Sequence, residues 1–217
     1  MTAPDTLLHA LAAEIVEQCS AARTIVAVDG VDGSGKTRFA DALAPWISRA
    51  GVGVVRASID GFHNRREVRY ERGRHSPEGF YQVSYNYAVF KTDLVAPFLA
   101  GASQVQTARF DHKTDQEVTT ATVDVPSRCI LLVDGIFLHR SELAHLWTYS
   151  IFLSVPFSET FARMVARDGT AANPDADSNR RYRRGQQIYL DACNPEAKAN
   201  VVIDNTDFNA PGIIHRR

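Results

Sequence analysis

Eight consecutive residues, Gly30-Val31-Asp32-Gly33-Ser34-Gly35-Lys36-Thr37, carry the densest chemical signal in the chain. They fill the phosphate-binding pattern G-x-x-x-x-G-K-[ST] at every fixed position. Gly30, Gly33 and Gly35 let the backbone curl, so that N–H groups along the loop, through Asp32 and Ser34, point inward at phosphate oxygens. Lys36 is spaced to reach the β- and γ-phosphates, and the Thr37 hydroxyl to sit on Mg²⁺. The implied ligands are ATP and Mg²⁺.

Two further carboxylates stand where such a loop needs them. Asp134 follows the apolar run Ile130-Leu131-Leu132-Val133, the place of the acidic partner of the Mg²⁺ shell in proteins with this loop. Asp60 follows a second apolar run, 51–57, and could accept the proton of a hydroxyl attacking the γ-phosphate. Arg163 and Arg167 are four residues apart, one helical turn, and share a face. Arg180, Arg181, Arg183 and Arg184 follow across a glycine- and proline-containing stretch, where mobile guanidinium groups can neutralise transferring phosphoryl oxygens. An earlier group, Arg65 to Arg74, suits either an acidic acceptor or a solvated surface. Phe62, Phe80, Tyr81, Tyr85 and Phe110 come from segments expected to converge above the sheet as stacking surfaces. His63, His75 and His112 have no metal-ligand spacing.

These residues need a scaffold, and the hydrophobic pattern supplies one. Arg23–Asp29 reads as a buried strand before the loop, and 36–49 as a helix after it, with Phe39 and Leu43 one turn apart. Further strands are expected at 51–57, 128–134 and 148–155, with a last short one at 200–203. Helices are expected at 5–19, 84–99, 157–168 and 180–193, and a small hairpin at 103–110 and 117–123 around a turn at 111–116. The alternation predicts an α/β three-layer fold with a central parallel sheet flanked by helices, plus the hairpin and a mobile lid. At 217 residues the chain suits a single domain, 1–217, with the lid at about 168–185.

Composition narrows the partners. Hydrophobic residues make up 45%, enough for a substantial core, and the net charge of −1 supplies no basic field for nucleic acid or anionic membranes. Cys19, Cys129 and Cys193 form no C-x-x-C pair, so neither a zinc site nor a disulfide framework is expected. Asp5, Glu14 and Glu17 do not fit a signal peptide, and no apolar run has the length of a membrane span. A soluble, cytoplasmic protein is expected, acting on a small molecule with ATP and leaving self-association open.

The chain resembles the uridine kinase-like branch of the phosphate-loop kinases, alongside pantothenate kinase and phosphoribulokinase. The resemblance runs from the phosphate loop through Ser58–His63, Ser76–Phe80, Leu132–Phe137 and Arg163–Asp168 to Val201–Asn205. It implies Asp60 as catalytic base, Arg167 as the arginine before the lid, Phe110-Asp111 as the acceptor-reading pair, and Arg183 within a lid group. The chain departs from the family pattern at four places. It has Asp60-Gly61-Phe62-His63 for Asp-Ser-Phe-Tyr, Phe110 for Tyr, Asp134 for Glu, and no clear counterpart, at His112 or elsewhere, of the family's next histidine.

The expected activity is transfer of the ATP γ-phosphate to a hydroxyl of a nucleoside, uridine or cytidine first. Lys36, Asp60 and Arg167 are the expected catalytic residues. Gly30, Asp32, Gly33, Ser34, Gly35, Lys36, Thr37 and Arg163 would bind the nucleotide, with Thr37 and Asp134 at the metal. Asp60, Phe62, His63, Phe80, Tyr85, Phe110, Asp111 and Arg183 would meet the acceptor. The alternatives are the same chemistry on pantothenate, a sugar or a nucleoside monophosphate, and a nucleotide-binding regulatory module without turnover. A GTPase switch is disfavoured, since no Asn-Lys-x-Asp motif follows a later strand.

Overall fold

The computed structural model describes residues 2–217. Six strands form the main sheet: β1 (Arg23–Gly30), β2 (Gly53–Ser58), β3 (Cys129–Gly135), β4 (Tyr149–Ser154), β5 (Val201–Asp204) and β6 (Gly212–Arg216). Their spatial order is β6-β5-β4-β1-β3-β2, with five strands parallel and β6 antiparallel at one edge. β1 therefore lies between β3 and β4, and the loop leaving its carboxyl end opens where chain connections diverge to the two sides. That edge is the usual ligand crevice of an open α/β sheet.

The central strands β1, β3 and β4 are buried on both faces, which explains their nearly continuous apolar runs. Period-two alternation divides them between two cores. Val26, Val28, Ile130 and Leu132 face α1 (Ala3–Gln18) and α2 (Lys36–Arg49), packing on Leu8, Leu11, Ile15, Phe39, Leu43 and Ile47. Ile25, Ala27, Leu131 and Val133 face the opposite layer, which holds Phe90, Leu94 and Phe98 from the helical stretch α3 (87–99). Pro97 sits in the first turn of the final α-helical piece of that stretch, where its missing N–H is tolerated, while residues Phe90–Val95 are wound as a π-helix.

Several boundaries correct the sequence reading. The strand at 200–203 is not the last, because β6 turns back beside β5. It was missed because Ile213 and Ile214 are exposed, so no buried pattern announced it. Helix α5 (Asp177–Cys193) starts three residues before the expected 180–193, and the stretch ahead of it, 169–176, carries no helix or strand. The hairpin is two short ladders, Gln104–Gln106 with Thr122–Asp124 and Phe110–Asp111 with Gln116–Glu117. The three cysteines are free and buried. Among the described residues no helix is long and apolar enough to cross a membrane.

Candidate active site

The phosphate loop links β1 to α2 through backbone that only glycine adopts readily. Gly33 and Gly35 have φ of +76° and +89°. A Cβ on Gly33 would stand 2.5 Å from the Thr160 carbonyl oxygen of α4 (Phe157–Asp168), and one on Gly35 2.5 Å from the Phe208 ring. Ser34 Oγ is buried without a hydrogen-bond partner. A tight cradle with an orphaned hydroxyl fits a phosphate group, which supplies acceptor oxygens. Lys36 is buried, and its Nζ donates to the Val31 carbonyl at 2.9 Å, so it already lies folded along the loop.

Thr37 and Asp134 meet at the sheet edge. Thr37 Oγ1 donates to Asp134 Oδ2 at 2.6 Å, and Arg56 Nη2 donates to Asp134 Oδ1 at 2.8 Å. Asp134 is 2% exposed, so its charge is stabilised by this pair of donors rather than by water. Among the described residues no group of three or more His, Cys, Asp or Glu side chains converges as a metal-ligand set. A hydroxyl and one carboxylate would instead suit the protein share of a Mg²⁺ shell otherwise completed by phosphate oxygens and water.

Two cavities meet over this edge. The first, of about 350 Å³, is lined by Asp32, Lys36, Thr37, Asp134 and Arg163 among others. The second, of about 390 Å³, is lined by Arg69, Tyr70, Phe80, Tyr85, His112 and Arg181 among others. Asp32, Asp60, Ile136, Met164 and Arg167 belong to both. Asp60 is exposed at the junction, and the Tyr85 hydroxyl donates to its Oδ1 at 2.8 Å. Burial pushes the Tyr85 pKa well above 10, so the phenol remains a donor to that carboxylate.

Arg163 donates to the carbonyls of Gly33, Asn205 and Thr206 at 3.2, 2.8 and 2.8 Å and lies 3.9 Å over the Phe208 ring. It stitches the phosphate loop to the loop after β5. Arg167 is two-thirds exposed and paired with the adjoining Asp168 at 2.6 Å. An exposed pair of this kind is worth about 1 kcal/mol or less, so Arg167 can leave it for a phosphate at little cost. Burial raises the Asp32 carboxyl above its ordinary range and lowers His63 below 6.5, disfavouring the charged form of each.

Other expected acceptor contacts are not brought to this cleft. Phe62 is 1% exposed in the core, and Phe110 is buried beside a separate depression lined also by Asp93 and Arg109. Asp111 caps its own turn, accepting from Lys113 N at 2.9 Å and Thr114 Oγ1 at 2.9 Å, which holds its pKa down. Tyr81 packs on Phe137 and lines neither cavity. Arg183 pairs with Asp175 at 3.3 Å and lies over Phe157, outside both cavities. Its neighbour Arg181 is the lid-group arginine that lines the second cavity, because the buried stripe of α5 runs through Arg181, Gly185, Gln186 and Tyr189.

Several contributors were missed. Asp29, at the end of β1, accepts from Gly30 N at 2.7 Å and His139 Nδ1 at 2.6 Å, and from the Tyr189 hydroxyl. Gln186 Oε1 accepts from Asp32 N at 2.5 Å, so α5 is clamped once to the phosphate loop and once, through Tyr189, to Asp29 in β1. Asn205 Nδ2 donates to the Ser34 carbonyl at 2.8 Å. Asp29 and Asn205 both stand at carboxyl ends of strands, the positional signal that picked out Asp60 and Asp134.

No protein-family model matches the sequence, and no curated protein matches it. Solved structures do. A possible uridine kinase from Bacillus stearothermophilus superposes with a TM-score of 0.71 at 22% identity, over 90% of this chain and 96% of that one. A proposed fructose transport system kinase from Silicibacter sp. TM1040 gives 0.68 at 25% identity, over 86% and 94%. A D-glycerate 3-kinase from Cryptococcus neoformans gives 0.62 at 10% identity, over 97% and 98%. The chain shares the fold of these kinases, an α/β phosphate-loop fold similar to that of the uridine kinase-like group.

Proposed function

We propose that the protein is a small-molecule kinase that transfers the ATP γ-phosphate to an acceptor hydroxyl. The observation that carries this reading is the position of Asp60, at the junction of a phosphate-loop cavity and a second, tyrosine- and arginine-lined cavity. The kinases that share its fold support the same class of reaction. The loop amides and Lys36 would hold the triphosphate, and Phe208 with Arg163 would offer flat surfaces to the nucleobase. Thr37 and Asp134 would hold Mg²⁺, which when bound neutralises charge on the phosphates.

Asp60 then orients the acceptor hydroxyl and takes its proton. The acceptor oxygen bonds to the γ-phosphorus as the bond from that phosphorus to the β,γ-bridging oxygen breaks, and ADP leaves. Arg167 stabilises charge on the phosphoryl oxygens in flight. The stretch 168–185 would cover the cleft as a lid on a single domain. Uridine and cytidine remain the nucleoside acceptors to test first, although Phe62, Phe110 and Asp111 do not line the cleft to read them.

The test is ADP release with Mg²⁺-ATP across uridine, cytidine, pantothenate, sugars and nucleoside monophosphates. Release stimulated by an acceptor supports the kinase. ATP binding without stimulated release by any acceptor supports the regulatory module instead.

A further inference from the structure

Resting on that kinase reading, we propose that the acceptor carries an anionic group, a carboxylate or a phosphate, received by Arg181 and Arg69 beside Tyr70. These three residues line the second cavity and not the first, so they address the acceptor rather than the triphosphate.

The argument begins with Arg181. It is 6% exposed, and among the described residues it pairs with no carboxylate; its hydrogen bonds go to carbonyls. Nη1 donates to the Arg74 carbonyl at 2.5 Å, Nη2 to the Arg69 carbonyl at 3.3 Å, and Nε is buried without a partner. A buried cation whose partners are neutral carbonyls keeps most of its desolvation penalty. Burial and the neighbouring arginines accordingly lower its pKa.

Like charges deepen the effect. The guanidinium carbons of Arg181, Arg69 and Arg74 lie 4.7, 5.5 and 6.0 Å from the centroid of one ring, that of Tyr70. The only acid paired with any of the three among the described residues is Asp115, 3.3 Å from Arg69. Cation–π contact returns part of the cost and fixes the planar groups in place. An anion entering the cavity would meet donors already oriented and would relieve the repulsion between them, and a planar fork suits carboxylate and phosphate oxygens equally.

The cavity also carries acids, but at its other side. Asp32 and Asp60 are shared with the phosphate-loop cavity, and Asp168 is already paired with Arg167. Within the second cavity Asp32 and Asp60 thus lie toward the phosphate loop, where Arg167 is paired with Asp168, and the uncompensated guanidinium of Arg181 lies away from it with Arg69. An acceptor with a hydroxyl at one end and an anionic group at the other matches that order. The clamps from Gln186 to the phosphate loop and from Tyr189 to Asp29 in β1 hold α5, and so Arg181, at a set distance from the loop.

The experiment compares neutral and charged members of matched acceptor sets. The sets are glycerol with D-glycerate and glycerol 3-phosphate, ribose with ribose 5-phosphate, and uridine with uridine 5′-monophosphate. The expected result is that a charged member exceeds its neutral partner at least tenfold in kcat/KM. The glycerate and phosphate arms identify which anion is read. In R181Q that ratio should fall at least tenfold through KM, with affinity for a fluorescent ATP analogue unchanged. R181K, which keeps the charge, should recover part of it.

Equal or better use of neutral members overturns the proposal, as does a ratio that survives R181Q. If no member supports turnover, calorimetric titration of inorganic phosphate and malonate into ADP-saturated protein decides. Binding at least tenfold tighter than in R181Q supports the site, and equal affinities overturn it. Absence of ATP binding by the wild type is a different result, which removes the kinase reading itself.

Discussion

In the phosphate-loop half of the cleft the long polar and charged side chains stand in closed pairs, Lys36 on Val31, Thr37 on Asp134, and Arg163 on three carbonyls, and the small Ser34 hydroxyl is the group left over. The acceptor half is different: Arg181 keeps an unpartnered nitrogen, and Tyr85 donates to a carboxylate that stands exposed. Closed pairs make a scaffold whose geometry precedes the ligand, so the nucleotide meets preorganised donors. Open donors make a site whose energy falls only when the right acceptor arrives, and specificity is set there. The halves share Asp60 and Arg167, the two side chains that the proposed transfer would use.

The comparison can be broken from either side. The largest effect is expected for Lys36→Ala, which removes the charge that follows the phosphates. Turnover should drop by about a thousandfold or more, with ATP affinity lost as well, as measured by fluorescent-nucleotide titration. Asp60→Asn removes the base and keeps the shape; turnover should fall by about a hundred- to ten-thousandfold while ATP affinity holds. Tyr85→Phe deletes the donor to Asp60. A hydrogen bond to a charged group is worth about 1.5–3 kcal/mol, so a loss of about ten- to a hundredfold in kcat/KM, with ATP affinity kept, is expected.

Arg183→Gln sharpens the contrast with Arg181. Its partner Asp175 is exposed and the pair lies outside both cavities, so kcat/KM should change by less than about twofold. A tenfold loss would return Arg183 to the site and weaken the distinction between the two arginines.

The smallest effect concerns stability and pH. Burial holds the His63 pKa below 6.5 in the folded chain, so the unfolded chain binds more protons in that range. The favourable contribution of neutral His63 is complete above the unfolded pKa and is lost as pH falls through it toward the folded value. Urea midpoints measured across that range should fall toward acid pH, and His63→Asn should flatten the decline.

What the sequence disclosed follows the same division. The phosphate loop, Asp134 and Asp60 were readable because strand ends and glycine spacing are local in the chain. The layers were readable because strands buried on both faces write long apolar runs. The acceptor half was not readable, since it depends on which side of α5 faces inward and on contacts between residues far apart, such as Arg181 with Arg69 and Arg74. Arg183 was chosen two positions from the arginine that lines the cavity, a shift of more than half a helical turn, which decides burial. Phe110 and Asp111 carried a family role that this hairpin does not bring to the cleft, since the Asp111 carboxylate is spent on its own turn. The edge strand Gly212–Arg216 left no signal because its side chains are mostly exposed.

The most direct test of the central claim, that one cleft joins an ATP site to an acceptor site through Asp60, compares wild type and Asp60→Asn in two assays. The first is ADP release across the acceptor panel, and the second is affinity for a fluorescent ATP analogue. The account predicts acceptor-stimulated release by the wild type, its loss by about a hundredfold or more in the variant, and nucleotide affinities within twofold of each other. Equal release by the two proteins, or a wild type that binds ATP and responds to no acceptor, would contradict it.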